Sequence, residues 1–141
     1  MKFLLDTNVV SEPQKPLPST AVERFLRGTP ETDLYLSVVT IAELQRGLAL
    51  MASGKRRIAL SQWVTDVLPE RFGDRLLPLT LATAALWGEV MAHSHRAGLN
   101  LSIMDGFLAA TAATHELAIA TRNVRHFTGL GLRVFNPWEE A

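Results

Sequence analysis

Apolar and polar positions fall in blocks along this chain. Four of the five residues before Asp6 are apolar (Met1, Phe3, Leu4, Leu5), and the run stops on Asp6, Thr7 and Asn8. A short apolar run closed by polar residues predicts a buried strand over 2–5. "SEPQKPLPST" (11–20) carries three prolines within six residues and predicts a loop, because proline fixes φ and lacks an amide donor. Ser19 or Thr20 then caps a helix running through Arg27, and Gly28 ends it. "DLYLSVV" (33–39) predicts a second strand, with Thr40 starting a helix over "IAELQRGLALMAS". Gly54 breaks that helix before another one over 55–68. "RLLPLT" (75–80) is extended, and "LATAALWGEVMAHSHRAG" is helical. "DGFLAATAATHE" predicts an alanine-rich helix from Asp105, whose small residues permit close packing. "LAIATR" (117–122) and "LRVFNPW" (132–138) predict the last two strands. Strands alternating with helices imply parallel pairing, so the expected fold is a single α/β domain over 1–141 with helices on both faces of its sheet.

Composition agrees with one globular unit. The chain has 141 residues, 48% of them hydrophobic and 20% charged, and is long enough to bury a core. Lys and Arg total 14, as do Asp and Glu, so affinity for a polyanion must come from local clustering. With no cysteine the chain has no disulfide, thiolate metal site or Cys nucleophile, which suits a reducing cytoplasm. The first apolar run is too short for a signal peptide, and no stretch nears the roughly 18–20 apolar residues of a membrane span. A soluble cytoplasmic protein is expected.

The acids carry the candidate chemistry. In an α/β sheet, ligands gather beyond the carboxyl ends of the strands. Asp6 ends the first strand, Glu43 follows the second, Asp105 begins a late helix, and Asn123 follows "LAIATR". Each has a structural alternative. "TIAE" (40–43) and "SIMD" (102–105) both fit the S/T-x-x-E/D capping pattern, as does "TAVE" (20–23), which is assigned no function. Asp6-Thr7-Asn8 can form an Asx-type turn, and Asn123 can cap a helix. Capping does not explain why all four meet one sheet edge. Converging carboxylates need a counter-charge, and an all-oxygen donor set favours Mg²⁺ or Mn²⁺ over zinc. The reaction this suggests is phosphodiester hydrolysis by metal-activated water.

Rival sites are weaker. His93 and His95 are two apart on a helix and face nearly opposite ways, and Glu89 with His93 fits a solvated helix face. Phosphate-loop, dinucleotide-binding and nucleophile-elbow patterns are lacking. Trp63, Trp87 and Trp138 suit core or interface positions better than base stacking. Arg46, Arg96, Arg122 and Arg125 lie close in sequence to the acids and form a candidate basic rim for a nucleic-acid backbone.

Four segments taken together, "FLLDTNVVSE", "TIAELQRG", "IMDGFLAATA" and "LAIATRNVRHF", resemble the PIN-domain family over essentially the whole chain. Within it they resemble the VapC toxins of type II toxin–antitoxin pairs, particularly the FitB-like branch. The resemblance implies an α/β/α sandwich with a mainly parallel sheet, a Mg²⁺-dependent ribonuclease, and a VapB-like antitoxin that occupies the active-site groove and carries the DNA-binding segment. It matches Asp6, Glu43 and Asp105 to the family's acidic triad and Thr121 to its site-lining hydroxyl. Asn123 falls where many members have a fourth acid, which points to one metal rather than two. Two roles follow: an RNA-cleaving toxin, or a partner acting chiefly in an antitoxin-bound, DNA-binding regulatory complex. The apolar segments "LALMAS" and "LSQWVTDVL" lead to an expected homodimer or larger assembly with antitoxin.

Overall fold

The computed structural model describes residues 1–139, so positions 140 and 141 of the expected domain lie outside the described residues. Five strands form one sheet: β1 (Phe3–Leu5), β2 (Leu34–Ser37), β3 (Leu76–Leu77), β4 (Ala118–Ala120) and β5 (Val134–Phe135). Their order across the sheet is β3-β2-β1-β4-β5, and every recorded pairing is parallel. The chain builds outward from β1 through β2 to β3, then returns to lay β4 on the other side of β1. The order therefore reverses between β1 and β4, and such a reversal opens a crevice at the strands' carboxyl ends.

Seven α-helices connect and cover these strands among the described residues: α1 (Thr7–Ser11), α2 (Thr20–Gly28), α3 (Val38–Leu50), α4 (Lys55–Gln62), α5 (Leu68–Phe72), α6 (Leu81–Arg96) and α7 (Ile103–Thr114). Alternation along the strands divides the core in two. Leu4, Ile119 and Leu77 meet Leu108, Ala109 and Ala112 of α7 on one face. Leu5, Leu34, Leu36 and Ala120 meet Val9 and Val10 of α1, Val22 of α2, and Leu68 and Phe72 of α5 on the other. The outcome is the expected three-layer α/β/α sandwich.

Several boundaries differ from the sequence expectation. The strand expected over 33–39 stops at Ser37, whose hydroxyl accepts from the Val39 amide at 3.0 Å and caps α3. Thr40 is thus inside the helix, not before it, and its buried hydroxyl has no hydrogen-bond partner among the described residues. Asp105 does not start its helix, since Ser102 caps α7 by accepting from the Asp105 amide at 3.1 Å. The first residues of the expected 11–20 loop are ordered too: α1 extends to Ser11, and a 3-10 turn spans Glu12–Gln14 around Pro13. Glu12 is buried there, accepting from the Ser19 amide at 2.9 Å and paired with Lys15 at 2.9 Å.

The helix expected over 55–68 runs past Pro69 through a π-helical turn at Trp63–Val67, where the Leu68 amide reaches back to the Trp63 carbonyl. Pro69 has no amide to offer and its ring crowds the preceding turn, which a widened turn accommodates.

Candidate active site

Asp6 sits where the strand order reverses. Its amide donates to the Ala120 carbonyl at 2.9 Å, continuing the β1–β4 ladder one residue past the strand. Its side chain, in a residue only 6% exposed, is held on both oxygens. Oδ1 accepts from the Thr7 amide at 2.7 Å, capping α1, and Oδ2 accepts from the Thr121 hydroxyl at 2.7 Å. Thr121 is fully buried at the end of β4 and also accepts from the Asn123 amide at 3.0 Å. Asp6 thus caps α1 through the adjacent Thr7 amide, not through the expected Asx-type turn, which would take the amide two residues on; its other oxygen is positioned by the neighbouring strand.

Glu43 projects from α3, the helix that follows β2. It accepts from the Thr7 hydroxyl at 3.2 Å, so Thr7 joins two acids by its amide and its side chain. Because α3 begins at Val38, Glu43 lies beyond the first turn and cannot be the capping-box acid that "TIAE" suggested. Asp105 does occupy the third position of α7, as "SIMD" predicted. Its Oδ2 lies 3.0 Å from Nδ1 of His126, in the 3-10 turn Val124–Phe127.

The acids feel one another. Burial pushes the Asp6 carboxyl up; its bonds from Thr121 and Thr7 oppose this, the charge of Asp105 adds to it, and His126 counters it. Burial likewise raises Glu43, with repulsion from Asp6 and Asp105 adding to the rise and the Thr7 bond opposing it. Yet no three acidic or histidine side chains among the described residues form a ready-made metal cage. The donor set nonetheless suits Mg²⁺ or Mn²⁺. Magnesium keeps several waters and needs only one or two carboxylates, and an all-oxygen edge with destabilised negative charge offers that.

The remaining candidates divide. Asn123 is exposed and joins the site through its amide, and its side chain makes no cap bond. Arg46, Arg96, Arg122 and Arg125 are exposed. The Arg122 guanidinium stacks over Trp138 at 5.0 Å, and its amide donates to the Asn8 side-chain oxygen at 3.3 Å. Trp87 stacks on Phe107 at 4.9 Å and donates to the Ile103 carbonyl, while Trp63 and Trp138 pack against the second core. His93 lies 3.2 Å from the Gly129 carbonyl, and Glu23 of "TAVE" pairs with Arg27.

Sequence reasoning passed over His126 and the double role of Thr7. His126 was findable, since it lies in the loop that leaves β4 at the strand-order reversal, five positions after Thr121. Beside the acids, a cleft of about 340 Å³ opens from Thr7 and Glu43 over Leu44, Leu48 and Trp63, with Lys15 and Arg56 also lining it.

A parallel sheet of this order, with an acidic, hydroxyl-braced cluster at its reversal point, defines an α/β fold with carboxylates gathered at the carboxyl ends of its strands. The PIN domain model matches residues 3–129, and the chain belongs to the PIN-domain family. It is similar to Toxin FitB of Neisseria gonorrhoeae, 37% identical over 98% of this chain and 99% of that protein. It is also similar to VapC ribonuclease Y4jK of Sinorhizobium fredii, 41% identical over 99% of both. Among solved structures, FitAB bound to an IR36 DNA fragment matches with a TM-score of 0.92 and 35% identity, covering 99% of this chain and 97% of the other.

Proposed function

We propose that this chain is a Mg²⁺-dependent endoribonuclease, with Mn²⁺ able to substitute, and the toxin of a type II toxin–antitoxin pair acting in the cytoplasm. The observation that carries the reading is Asp6: a carboxyl raised by burial, with Asp105 adding to the rise, and braced by Thr121 at the point where the sheet order reverses. Names of relatives similar over nearly the whole chain, a toxin and a ribonuclease, support the same activity.

Asp6, Glu43 and Asp105 would hold the ion. When bound, it supplies activation of the attacking water and neutralisation of the phosphodiester's charge. The residues do the rest. The Thr121 hydroxyl and Thr7 amide fix both Asp6 oxygens, so that carboxylate does not reorganise when charge develops nearby. Thr7 Oγ1 donates to Glu43 and holds it in turn. Arg46, Arg122 and Arg125 are exposed cations suited to the RNA backbone on either side of the cut. Asn123 adds no negative charge, so a single ion is expected without substrate.

The partner is a VapB-like antitoxin. The apolar cleft beginning at Glu43 suits a protein segment laid across the site, and FitAB is a relative solved as a complex. That complex is bound to DNA, which favours a second reading: a regulatory assembly, contacting DNA only through the antitoxin, with little free nuclease activity.

Asp105→Asn tests the enzyme. Cleavage of RNA by purified chain with Mg²⁺ or Mn²⁺ should fall to background, while the metal-free melting temperature stays unchanged or rises because repulsion is relieved. If Asp105 serves only the helix terminus, the variant instead loses up to about 1 kcal/mol of stability and keeps its activity. Expression without antitoxin separates the two roles: growth arrest supports the toxin, and normal growth the regulatory partner.

A further inference from the structure

The acidic residues account for the charge at the sheet edge, but not for what aims Asp105. Asp105 is at the third position of α7, where an acid ordinarily turns back to the capping residue's amide. Here Ser102 makes its half of the cap, through its hydroxyl to the Asp105 amide, while the Asp105 carboxylate turns to His126. The contact spans 21 positions and joins two elements, the start of α7 and the 3-10 turn after β4.

That turn is anchored on both sides of the histidine. Phe127 is buried in the first core, and the His126 amide donates to the Asn123 carbonyl at 3.0 Å. The imidazole is therefore presented by a fixed backbone. Its side chain is 54% exposed while that of Asp105 is 18% exposed, so the contact joins a surface ring to a largely buried carboxylate. A half-exposed contact of this kind contributes little to stability, which leaves its geometry to be explained.

We propose that His126 is a positioning residue: Nδ1–H donates to Asp105 Oδ2 and leaves Oδ1 directed to the site shared with Asp6 and Glu43. This role rests on the metal reading above. Partners that orient a ligating carboxylate commonly change metal affinity by about 10–100-fold when removed.

The test is calorimetric titration of the full chain with MnCl₂, without RNA, beside thermal melts in EDTA. His126→Asn places a donor near the position of Nδ1, His126→Gln near that of Nε2, and His126→Ala has neither. The expected result is Mn²⁺ affinity about 10–100-fold weaker for His126→Ala and His126→Gln, and largely restored for His126→Asn. All three should melt in EDTA within a few degrees of the unmodified chain. In RNA cleavage, extra MnCl₂ should recover kcat for His126→Ala. Unchanged affinity in His126→Ala, or no recovery in His126→Asn, overturns the positioning role while leaving the metal reading intact. An unmodified chain that binds neither Mn²⁺ nor Mg²⁺ overturns both.

Discussion

At the scale of single residues, the site is a place where the fold tolerates unfavourable charge. Asp6 and Glu43 are both raised from their ordinary values, chiefly by burial and further by neighbouring acids. A carboxyl raised in the folded state favours folding when protonated, and its contribution is lost as pH rises through the folded value. Acidifying the metal-free protein from neutrality toward the range just above 4.5 should therefore raise its melting temperature. Below that point Glu12 works the other way. Burial alone would raise it, but Lys15, the Ser19 amide and Arg122 together hold it below its ordinary value, so its stabilisation disappears as it protonates. With saturating Mn²⁺ the upper part of the trend should invert, since protons then compete with the ion for the same oxygens. Melting curves at successive pH values, in EDTA and in MnCl₂, check both signs. Asp6 stood out in the sequence because it closes a strand, and Asp105 because it falls in the first turn of a helix; Glu43 was singled out as following the second strand, although it lies inside α3 beyond its first turn. The Asp105–His126 and Thr7–Glu43 contacts were not legible, because each joins residues distant in sequence whose meeting depends on how the helices pack.

Elements were legible where periodicity was long and illegible where one side chain decided the boundary. α6 and the alanine-rich α7 follow the expected pattern to within a few residues. The start of α3 does not, because Ser37 captures the Val39 amide before Thr40 can cap, and this moves Glu43 out of the first turn. The π turn at Trp63–Val67 answers to Pro69, whose local effect a period of 3.6 cannot encode. The alanine-rich stretch was expected to permit close packing, and Gly106 shows where it matters. A Cβ there would run into the Met91 sulfur and lie 3.0 Å from Trp87 Nε1. The methionine can move, but Trp87 is stacked on Phe107 and bonded to the Ile103 carbonyl. Gly106→Ala should cost about 1–3 kcal/mol, measured by denaturant titration, and should weaken metal binding by shifting the start of α7 that carries Asp105.

For the whole molecule, balanced charge leaves shape and apolar surface to govern association. The segment "LSQWVTDVL" is partly spent on the core, since Val64 and Leu68 are buried, but Leu50, Ile58 and Val67 remain exposed, as do Leu79, Leu81 and Ile103. Such surface leads us to expect a homodimer, for which sedimentation should give twice the chain mass. Ile58→Glu and Leu81→Glu, one change in each group, should show which surface carries it by yielding a monomer. An unmodified chain that stays monomeric at high concentration would overturn the dimer. The parallel order of the sheet has a further effect, on timing. Asp6 and the hydroxyl that braces it are 115 positions apart, and β4 fills the gap beside β1 only after β2 and β3 have been made. During synthesis the first acid is exposed early, with one edge of its strand unpaired and Asp105, Thr121 and His126 still untranslated. The nascent polypeptide thus holds an incomplete site until nearly all of it has been translated.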